Sequence, residues 1–360
     1  MSFQLYPKFF LERIFVRSSV SAPTYELRDS WGRTAHDLRI SLTDRCNLRC
    51  SYCMPPEGLS WLPTEETLTN DEVNRLVKIA VELLGINKIR FTGGEPLLRK
   101  NLDAIIAFAH GLETVDGTAP DLALTTNALS LDKHAHALAA AGLNRVNISL
   151  DSIEPQTYAH IAHRDRLADV FRGIDVALDA GLTPVKLNAV ALRGANEDGL
   201  NDLLLFALRR GLQLRIIEQM PLGPRETWSR SNMVPEEEIL EIFSQKFELT
   251  PAQHGPHSPA RLWNVAGSAD HPAGQVGIIA SVTHPFCGTC DRTRLTADGQ
   301  MRTCLFGNVE TDLRTPLRAG TTDDEIAALW RDAMALKKPG HGIDDPSFVQ
   351  PQRYMSEIGG

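Results

Sequence analysis

From Leu38 to about Leu222, apolar stretches of two kinds alternate along the chain. Short runs of strand character occupy Leu38–Thr43, Lys88–Thr92, Asp121–Thr126, Arg145–Leu150, Pro184–Leu192 and Gln213–Gln219. Between them, apolar residues recur at helical spacing. Val73, Leu76, Val77, Ala80 and Leu84 form one such stripe, and Leu102, Ile105, Ile106 and Ala109 another. Val170, Phe171, Ile174, Ala177 and Leu178 repeat it, as do Leu200, Leu203, Leu204, Ala207 and Leu208. Thr69 with Glu72 makes a capping box at the head of the first stripe. Regular strand–helix alternation predicts an α/β fold with parallel strands inside and helices outside. Six units suit an open doubly wound sheet or a partial, TIM-like (β/α)6 barrel.

Successive strand residues face opposite ways, which puts Arg39, Ser41 and Thr43 on one face and Ile40 and Leu42 on the other. The same count places Arg90 and Thr92, Thr125 and Asn127, and Asn147, Ser149 and Asp151 in the polar row. Lys186 and Asn188, then Glu218 and Met220, complete it. A closed barrel normally fills its lumen with branched apolar side chains. Here the lumen is polar, and each unpartnered buried polar group would cost about 1–3 kcal/mol, so a polar guest or water belongs in the middle. The alternative is a one-sided sheet with its polar rows in solvent; helix-flanked parallel strands fit it less well. Each conspicuous motif also falls at the C-terminal end of its strand, where α/β active sites are built. These are Cys46 to Cys53, Gly93-Gly94-Glu95-Pro96, Thr125 to Asn127, Ser149 to Ser152, and Met220 to Gly223.

Past Leu222 the alternation stops. A polar connection to Met233 leads to a helix from Pro235, then to a Pro/His/Gly-rich stretch, Pro251 to Pro259. Two apolar runs follow, Arg261–Val265 and Gln275–Ser281. Arg294 to Arg302 reads as a hairpin around Asp298-Gly299, which would bring Cys304 back beside Cys290. Four segments are expected: a loosely ordered extension over 1–24, the barrel over 25–234, a smaller α+β domain over 235–340, and a tail over 341–360. The tail is rich in Gly, Pro and Asp, and its composition reads as flexible.

Composition narrows the function. The 360 residues are 42% hydrophobic and 23% charged, as in ordinary soluble proteins. A net charge of −8 argues against nucleic acid as partner. No run of about 18 apolar residues calls for a membrane span, and Glu12, Arg13 and Arg17 interrupt any signal-peptide core. The six cysteines fall into two triplets with none left over. That excludes a disulfide framework and points to a reducing, cytoplasmic setting. Cys46, Cys50 and Cys53 stand at C-x3-C-x2-C spacing, and three thiolates can hold three corners of a 4Fe–4S cluster. The fourth iron is then left for a guest. A zinc site would want a fourth ligand, and none lies near this loop. Cys287, Cys290 and Cys304, at C-x2-C-x13-C spacing, are less diagnostic: His284 could complete a Cys3His zinc site, or the triplet could hold a second cluster.

The first triplet, with Tyr52 just before its last cysteine, resembles the radical S-adenosylmethionine (SAM) enzymes. From Asp29-Ser30-Trp31-Gly32-Arg33 to Gly359-Gly360 the chain resembles one family of them, the GTP 3′,8-cyclases that open molybdenum cofactor biosynthesis. Both triplets, Gly-Gly-Glu-Pro, Arg292-Thr293-Arg294 and the double-glycine end carry the resemblance; the extension before Tyr25 does not. It implies a radical SAM barrel with a C-terminal α+β domain carrying a second iron–sulfur cluster. It also implies conversion of GTP to (8S)-3′,8-cyclo-7,8-dihydroguanosine 5′-triphosphate. In that chemistry a cluster electron cleaves SAM, the 5′-deoxyadenosyl radical takes hydrogen from the ribose 3′ carbon, and that carbon adds to guanine C8.

The resemblance further assigns residues. Cys46, Cys50 and Cys53 would hold the first 4Fe–4S cluster, and Cys287, Cys290 and Cys304 the second, whose free iron takes the guanine edge. Tyr52, Gly93, Gly94, Ser149 and Met220 would contact SAM. Arg39, Arg90, Thr125, Lys186, Arg292, Thr293 and Arg294 would bind GTP, whose triphosphate calls for fixed cations, Arg forks above all. The first cysteines, Arg292, Arg294 and the Gly359-Gly360 end would serve catalysis, the glycines by reaching into the site. Implied partners are GTP, an external electron donor and a downstream cyclic pyranopterin monophosphate synthase, with no nucleic acid or membrane; a homodimer is compatible. Two other readings stay open: a radical SAM enzyme that modifies peptides or sulfatases, and a non-catalytic zinc protein.

Overall fold

A computed structural model describes residues 25–359. The expected 1–24 extension and Gly360 lie outside the described residues. The six expected strands form as β1 (Asp37–Ser41), β2 (Lys88–Thr92), β3 (Asp121–Thr126), β4 (Arg145–Ser149), β5 (Lys186–Ala191) and β6 (Gln213–Glu218). They lie side by side in that order, all parallel. The connecting helices are α1 (Asn70–Lys78), α2 (Leu102–His110), α3 (Ala135–Ala140), α4 (Pro155–Ala162), α5 (Leu167–Asp179) and α6 (Leu200–Arg209). The capping box heads α1 as expected: Thr69 accepts from the Glu72 N–H, and the Glu72 carboxylate accepts from the Thr69 N–H. The apolar strand faces, with Ile40, Phe91, Ile148, Leu187 and Ile216, share one continuous core with helix residues such as Leu76, Ile106, Ile174 and Leu204.

The C-terminal segment builds no sheet of its own. After α7 (Glu236–Ser244) come β7 (Leu249–Ala252), β8 (Arg261–Val265) and β9 (Gly274–Ile279). Strand β9 joins the β6 edge in parallel, with β8 and β7 antiparallel outside it. Next come β10 (Arg292–Leu295), β11 (Gln300–Arg302) and β12 (Thr311–Asp312). Strand β10 joins the opposite edge, parallel to β1, and the hairpin to β11 turns at Asp298-Gly299 as expected. The sheet order is therefore β12-β11-β10-β1-β2-β3-β4-β5-β6-β9-β8-β7. Sequence period predicts a strand but not which edge it will join. Between Ile279 and Arg292 the chain passes from one edge to the other, carrying Cys287 and Cys290 across the mouth of the curved sheet.

Strand β6 corrects the expected lumen row. Asn188 pairs with Arg215 in register, so Arg215 faces the lumen and Glu218 faces away. Counting back from Met220 fails because the strand ends at Glu218, and alternation does not carry past it. Glu218 instead is a fully buried staple. It accepts from the backbone N–H of Glu236, Val282 and Thr283, each at 2.9 Å, and from the Thr283 hydroxyl.

The closing elements are α8 (Arg314–Arg318), α9 (Asp323–Ala335) and α10 (Met355–Ile358). The tail is held, contrary to its composition. Arg353 donates to Asp298 and Glu310, each at 2.8 Å, and Ser356 and Ile358 are buried. Partners more than forty residues away in sequence impose this order, so local composition could not foretell it. Among the described residues, no helix is long and apolar enough to cross a membrane.

The Glu218 staple generates a prediction. Glu218→Gln turns amide hydrogens toward backbone donors and should lower stability by about 1–3 kcal/mol for each group left unsatisfied. Urea denaturation checks it; an unshifted midpoint would show that the staple carries no stability.

Candidate active site

Strand β1 delivers the first cysteine loop. Asp44 accepts from the Leu62 N–H at 2.6 Å, and Arg49 donates to the carbonyls of Cys46 (2.7 Å) and Leu48 (2.8 Å) with its guanidinium over the Trp61 ring. The loop is thereby cinched with Cys46, Cys50 and Cys53 turned to a cavity at the C-terminal ends of β1–β6. That cavity holds about 1830 Å³ of non-atom space, its mouth included, more than one small ligand needs. Burial pushes Cys46 up to about 11 and Cys53 up to about 12, and Cys50 well above its usual value. Each therefore stays a thiol until a metal replaces the proton.

Cys287, Cys290 and Cys304 line the same cavity. Burial raises the Cys287 thiol above its usual value, whereas Cys290 goes the other way. Burial raises its pKa, but Lys337 and Arg292 outweigh burial and hold it below the usual value. His284, the sequence's candidate for a fourth zinc ligand, pairs instead with Glu236 at 2.8 Å. Among the described residues, no three His, Cys, Asp or Glu side chains converge as the ligands of a single metal ion must. The donor sets fit multi-iron clusters: three thiols apiece, gathered on one cavity.

The glycine loop after β2 supplies the acceptor side. A Cβ on Gly94 would sit 2.3 Å from the Arg45 carbonyl oxygen, so only glycine lets the two loops touch. The Gly94 N–H is spent on the Thr43 carbonyl (2.7 Å), which leaves the loop's carbonyl oxygens for a cationic guest. Buried Glu95 ties this loop to the next strand, accepting from Leu97 N–H (3.0 Å), the Thr126 hydroxyl (2.7 Å) and Asn127 N–H (2.8 Å). Tyr52 donates its hydroxyl to Asp151 (2.9 Å), itself fixed by the Val190 N–H (2.8 Å). Tyr52, Gly93, Gly94, Ser149 and Met220 all line the cavity.

Cations cover another wall. Arg39, Arg90, Arg215, Arg292 and Arg294 line the cavity. Arg215, Arg292 and Arg294 are buried, and the partly exposed Arg39 and Arg90 open on the cavity. Burial and mutual repulsion push Arg39, Arg215 and Arg294 down to about 9 and Arg90 to about 10. The Nε atoms of Arg39, Arg90 and Arg292 are buried with no hydrogen-bond partner among the described residues. Such a wall fits a polyanion. Asp37 is the carboxylate set among these guanidiniums; burial pushes it up, but Arg39, Arg90, Arg292 and Arg294 bring it below its usual 3.8.

Two expected contacts do not line the cavity. Thr293 lies on the outer face of β10, where its hydroxyl accepts from the Trp330 indole at 3.0 Å, because strand alternation sends it opposite to Arg292 and Arg294. Lys186, the first residue of β5, does not itself line the cavity, but it stands near the cation wall: burial and then Arg215, Arg145 and Arg90 push it down to about 8. Thr125 does line the cavity. Gly359 reaches the lumen, its carbonyl accepting from Arg294 at 2.6 Å; Gly360 is outside the described residues. Sequence reasoning missed Arg215, which donates to Asn188 (2.9 Å) and Asn147 (2.7 Å). A cation flanked by Leu214 and Ile216 inside β6 was the available signal.

The family profile described as the radical SAM superfamily matches residues 40–207, and that of Molybdenum Cofactor Synthesis C matches 212–343. The chain is 59% identical over 336 residues to a GTP 3′,8-cyclase of Corynebacterium glutamicum, covering 93% of this chain and 89% of that protein. It is 54% identical to one from Mycolicibacterium smegmatis (93% and 92% covered) and 52% identical to one from Streptomyces coelicolor (96% and 99% covered). A crystal structure of Streptococcus suis SuiB bound to S-adenosylmethionine aligns with a TM-score of 0.55 at 12% identity, over 83% of this chain and 68% of that one. That likeness concerns the fold alone.

The cation wall yields a second prediction. A carboxyl held below its usual value contributes stability that is present above pH 3.8 and lost as the pH falls below it. Asp37→Asn should remove this acid limb and destabilise the protein at neutral pH by about 3 kcal/mol. Inorganic triphosphate should restore much of the loss in a thermal-shift assay. Equal melting of variant and wild type would show that Asp37 does not offset the guanidiniums.

Proposed function

Because the chain belongs to the GTP 3′,8-cyclase family, and as a radical SAM enzyme converts GTP to its 3′,8-cyclised form in the first step of molybdenum cofactor biosynthesis, we propose that its cavity is divided between two 4Fe–4S clusters on facing walls. Cys46, Cys50 and Cys53 hold the first cluster; Cys287, Cys290 and Cys304 hold the second. The observation that carries this reading is the convergence of both cysteine triplets and five arginines on one cavity.

The first cluster, when bound, supplies the electron that opens SAM. The chain's own residues hold and orient. The carbonyl-lined Gly93-Gly94 turn receives the SAM ammonium, Tyr52 is kept in place by Asp151, and Ser149 and Met220 border the same pocket. Arg39, Arg90, Arg292 and Arg294 take the GTP triphosphate, joined by Arg215 through Asn147 and Asn188, with Thr125 alongside. An anion there relieves the repulsion that burial imposes on the guanidiniums. Arg294 also grips the Gly359 carbonyl, so the tail and the substrate share one cation. The protein's part is positioning and exclusion of water rather than proton transfer. An external one-electron donor, a cytoplasmic setting and a downstream cyclic pyranopterin monophosphate synthase complete the reading.

Anaerobic reconstitution with iron and sulfide, followed by reductant, SAM and GTP, tests the function. The expected result is 5′-deoxyadenosine whose formation depends on GTP, together with cyclised nucleotide; 5′-deoxyadenosine formed equally without GTP would reject the substrate.

Gly359 provides a sharper test. Its φ is +79°, and a Cβ there would stand 2.3 Å from Ser41 Oγ and 2.7 Å from Thr92 Cγ2. Gly359→Ala should displace the tail and cut cyclised product at least about tenfold, the equivalent of about 1.4 kcal/mol of barrier, while iron content is retained. Full activity in that variant would remove the tail from the mechanism.

A further inference from the structure

Lys337 is 3% exposed, just beyond the end of α9, and no cation binder of the cavity explains it. Its ammonium has three N–H donors, and three acceptors take them. These are the Arg292 carbonyl at 2.8 Å, the Cys290 carbonyl at 3.2 Å and the Cys290 sulfur at 3.4 Å. Among the described residues, no carboxylate lies within ion-pair distance of it. A buried ammonium without a counter-charge costs several kcal/mol. The nearest group able to carry negative charge is the Cys290 sulfur, as a thiolate bound to iron.

The position is enforced from the far end of the chain. Arg33, paired with Asp29, donates to the carbonyls of Cys287 (2.6 Å), Lys338 (2.6 Å) and Pro339 (2.9 Å). One guanidinium thus clamps the segment that carries Lys337 to the loop that carries the cysteines. Arg292 adds a second cationic donor to the Cys290 sulfur at 3.7 Å. In the first triplet, the hydrogen bonds that reach the Cys46 sulfur among the described residues come from neutral donors, the Leu48 N–H at 3.5 Å and the Asn127 amide at 3.9 Å.

Hydrogen bonds to the sulfurs and local charge set the potential of an iron–sulfur cluster. Reduction adds one electron and one negative charge, which a fixed neighbouring cation favours. We propose that Lys337 is a positioning and tuning residue that raises the reduction potential of the cluster held by Cys287, Cys290 and Cys304. The inference rests on the two-cluster reading, and its test separates the two.

A chain with Cys46→Ala, Cys50→Ala and Cys53→Ala isolates the second site. Loaded anaerobically, it should hold about four irons, and its midpoint can be read by electron paramagnetic resonance in a potentiometric titration with dithionite. Adding Lys337→Met should make reduction about tenfold less favourable, about 59 mV lower for one electron, whereas Lys337→Arg, which keeps the charge, should stay near the parent. If the triple-alanine chain binds no iron, the second cluster is overturned. If it binds iron and titrates at one midpoint with and without Lys337→Met, Lys337 alone is overturned. Should Lys337→Met lose iron, Lys337→Gln is read in its place, and an unshifted midpoint there rejects the proposal equally.

Discussion

Like charges buried together are the constraint around which this molecule is arranged. Five guanidiniums face one lumen, and three of them, Arg215, Arg292 and Arg294, are buried. Burial and mutual repulsion lower the proton affinities of Arg39, Arg90, Arg215 and Arg294. Asp37, Asn147 and Asn188 relieve part of that repulsion, and the Gly359 carbonyl relieves more at Arg294. What is left favours an anion of several charges, which is what a nucleoside triphosphate brings. The polar lumen is therefore no defect in an otherwise apolar barrel. It is a binding surface turned inward, and helices on the outside keep the apolar faces of the same strands out of water.

A second theme is how the C-terminal segment is attached. Its strands extend both edges of the sheet, so the cysteine loop between them must cross the open mouth. Three polar anchors hold that crossing. Glu218 gathers the start of α7 and the turn after β9, Arg33 clamps the Cys287 loop to the segment after α9, and Arg353 fixes the tail to the β10–β11 turn through Asp298. Each is charged, buried or nearly so, and satisfied by several partners, the condition under which buried polar groups specify one arrangement. Apolar packing alone would let the crossing slide along the rim.

Much of this was legible in the sequence because it is periodic or local. The six parallel strands, the α1 capping box, the Asp298-Gly299 hairpin and the placing of motifs at strand ends all follow from patterns within about ten residues. The side of the sheet on which Arg39 and Arg90 fall follows from alternation. What was not legible depends on partners far away. Arg215 was masked by Glu218, whose polarity mimics a lumen residue but serves a staple. Thr293 sits between two cavity arginines in sequence and on the opposite face in space. Lys186 has the right face and stands near Arg215 and Arg90 without itself lining the cavity. Lys337 looks like an ordinary helix-terminal lysine until the fold sets it against Cys290.

Gly359 ties the tail to the cation wall through Arg294. A carbonyl oxygen on Arg294 is a weak acceptor compared with a phosphate, yet it occupies the cation in the resting fold. Any anion that takes Arg294 must therefore share it or displace the tail, and the short α10 helix anchored by Arg353 resists displacement. With a Cβ excluded at position 359 by Ser41 and Thr92, the backbone itself, not a side chain, is what meets Arg294. Tail placement and triphosphate binding are then coupled through one guanidinium, and a change at either should be felt at the other.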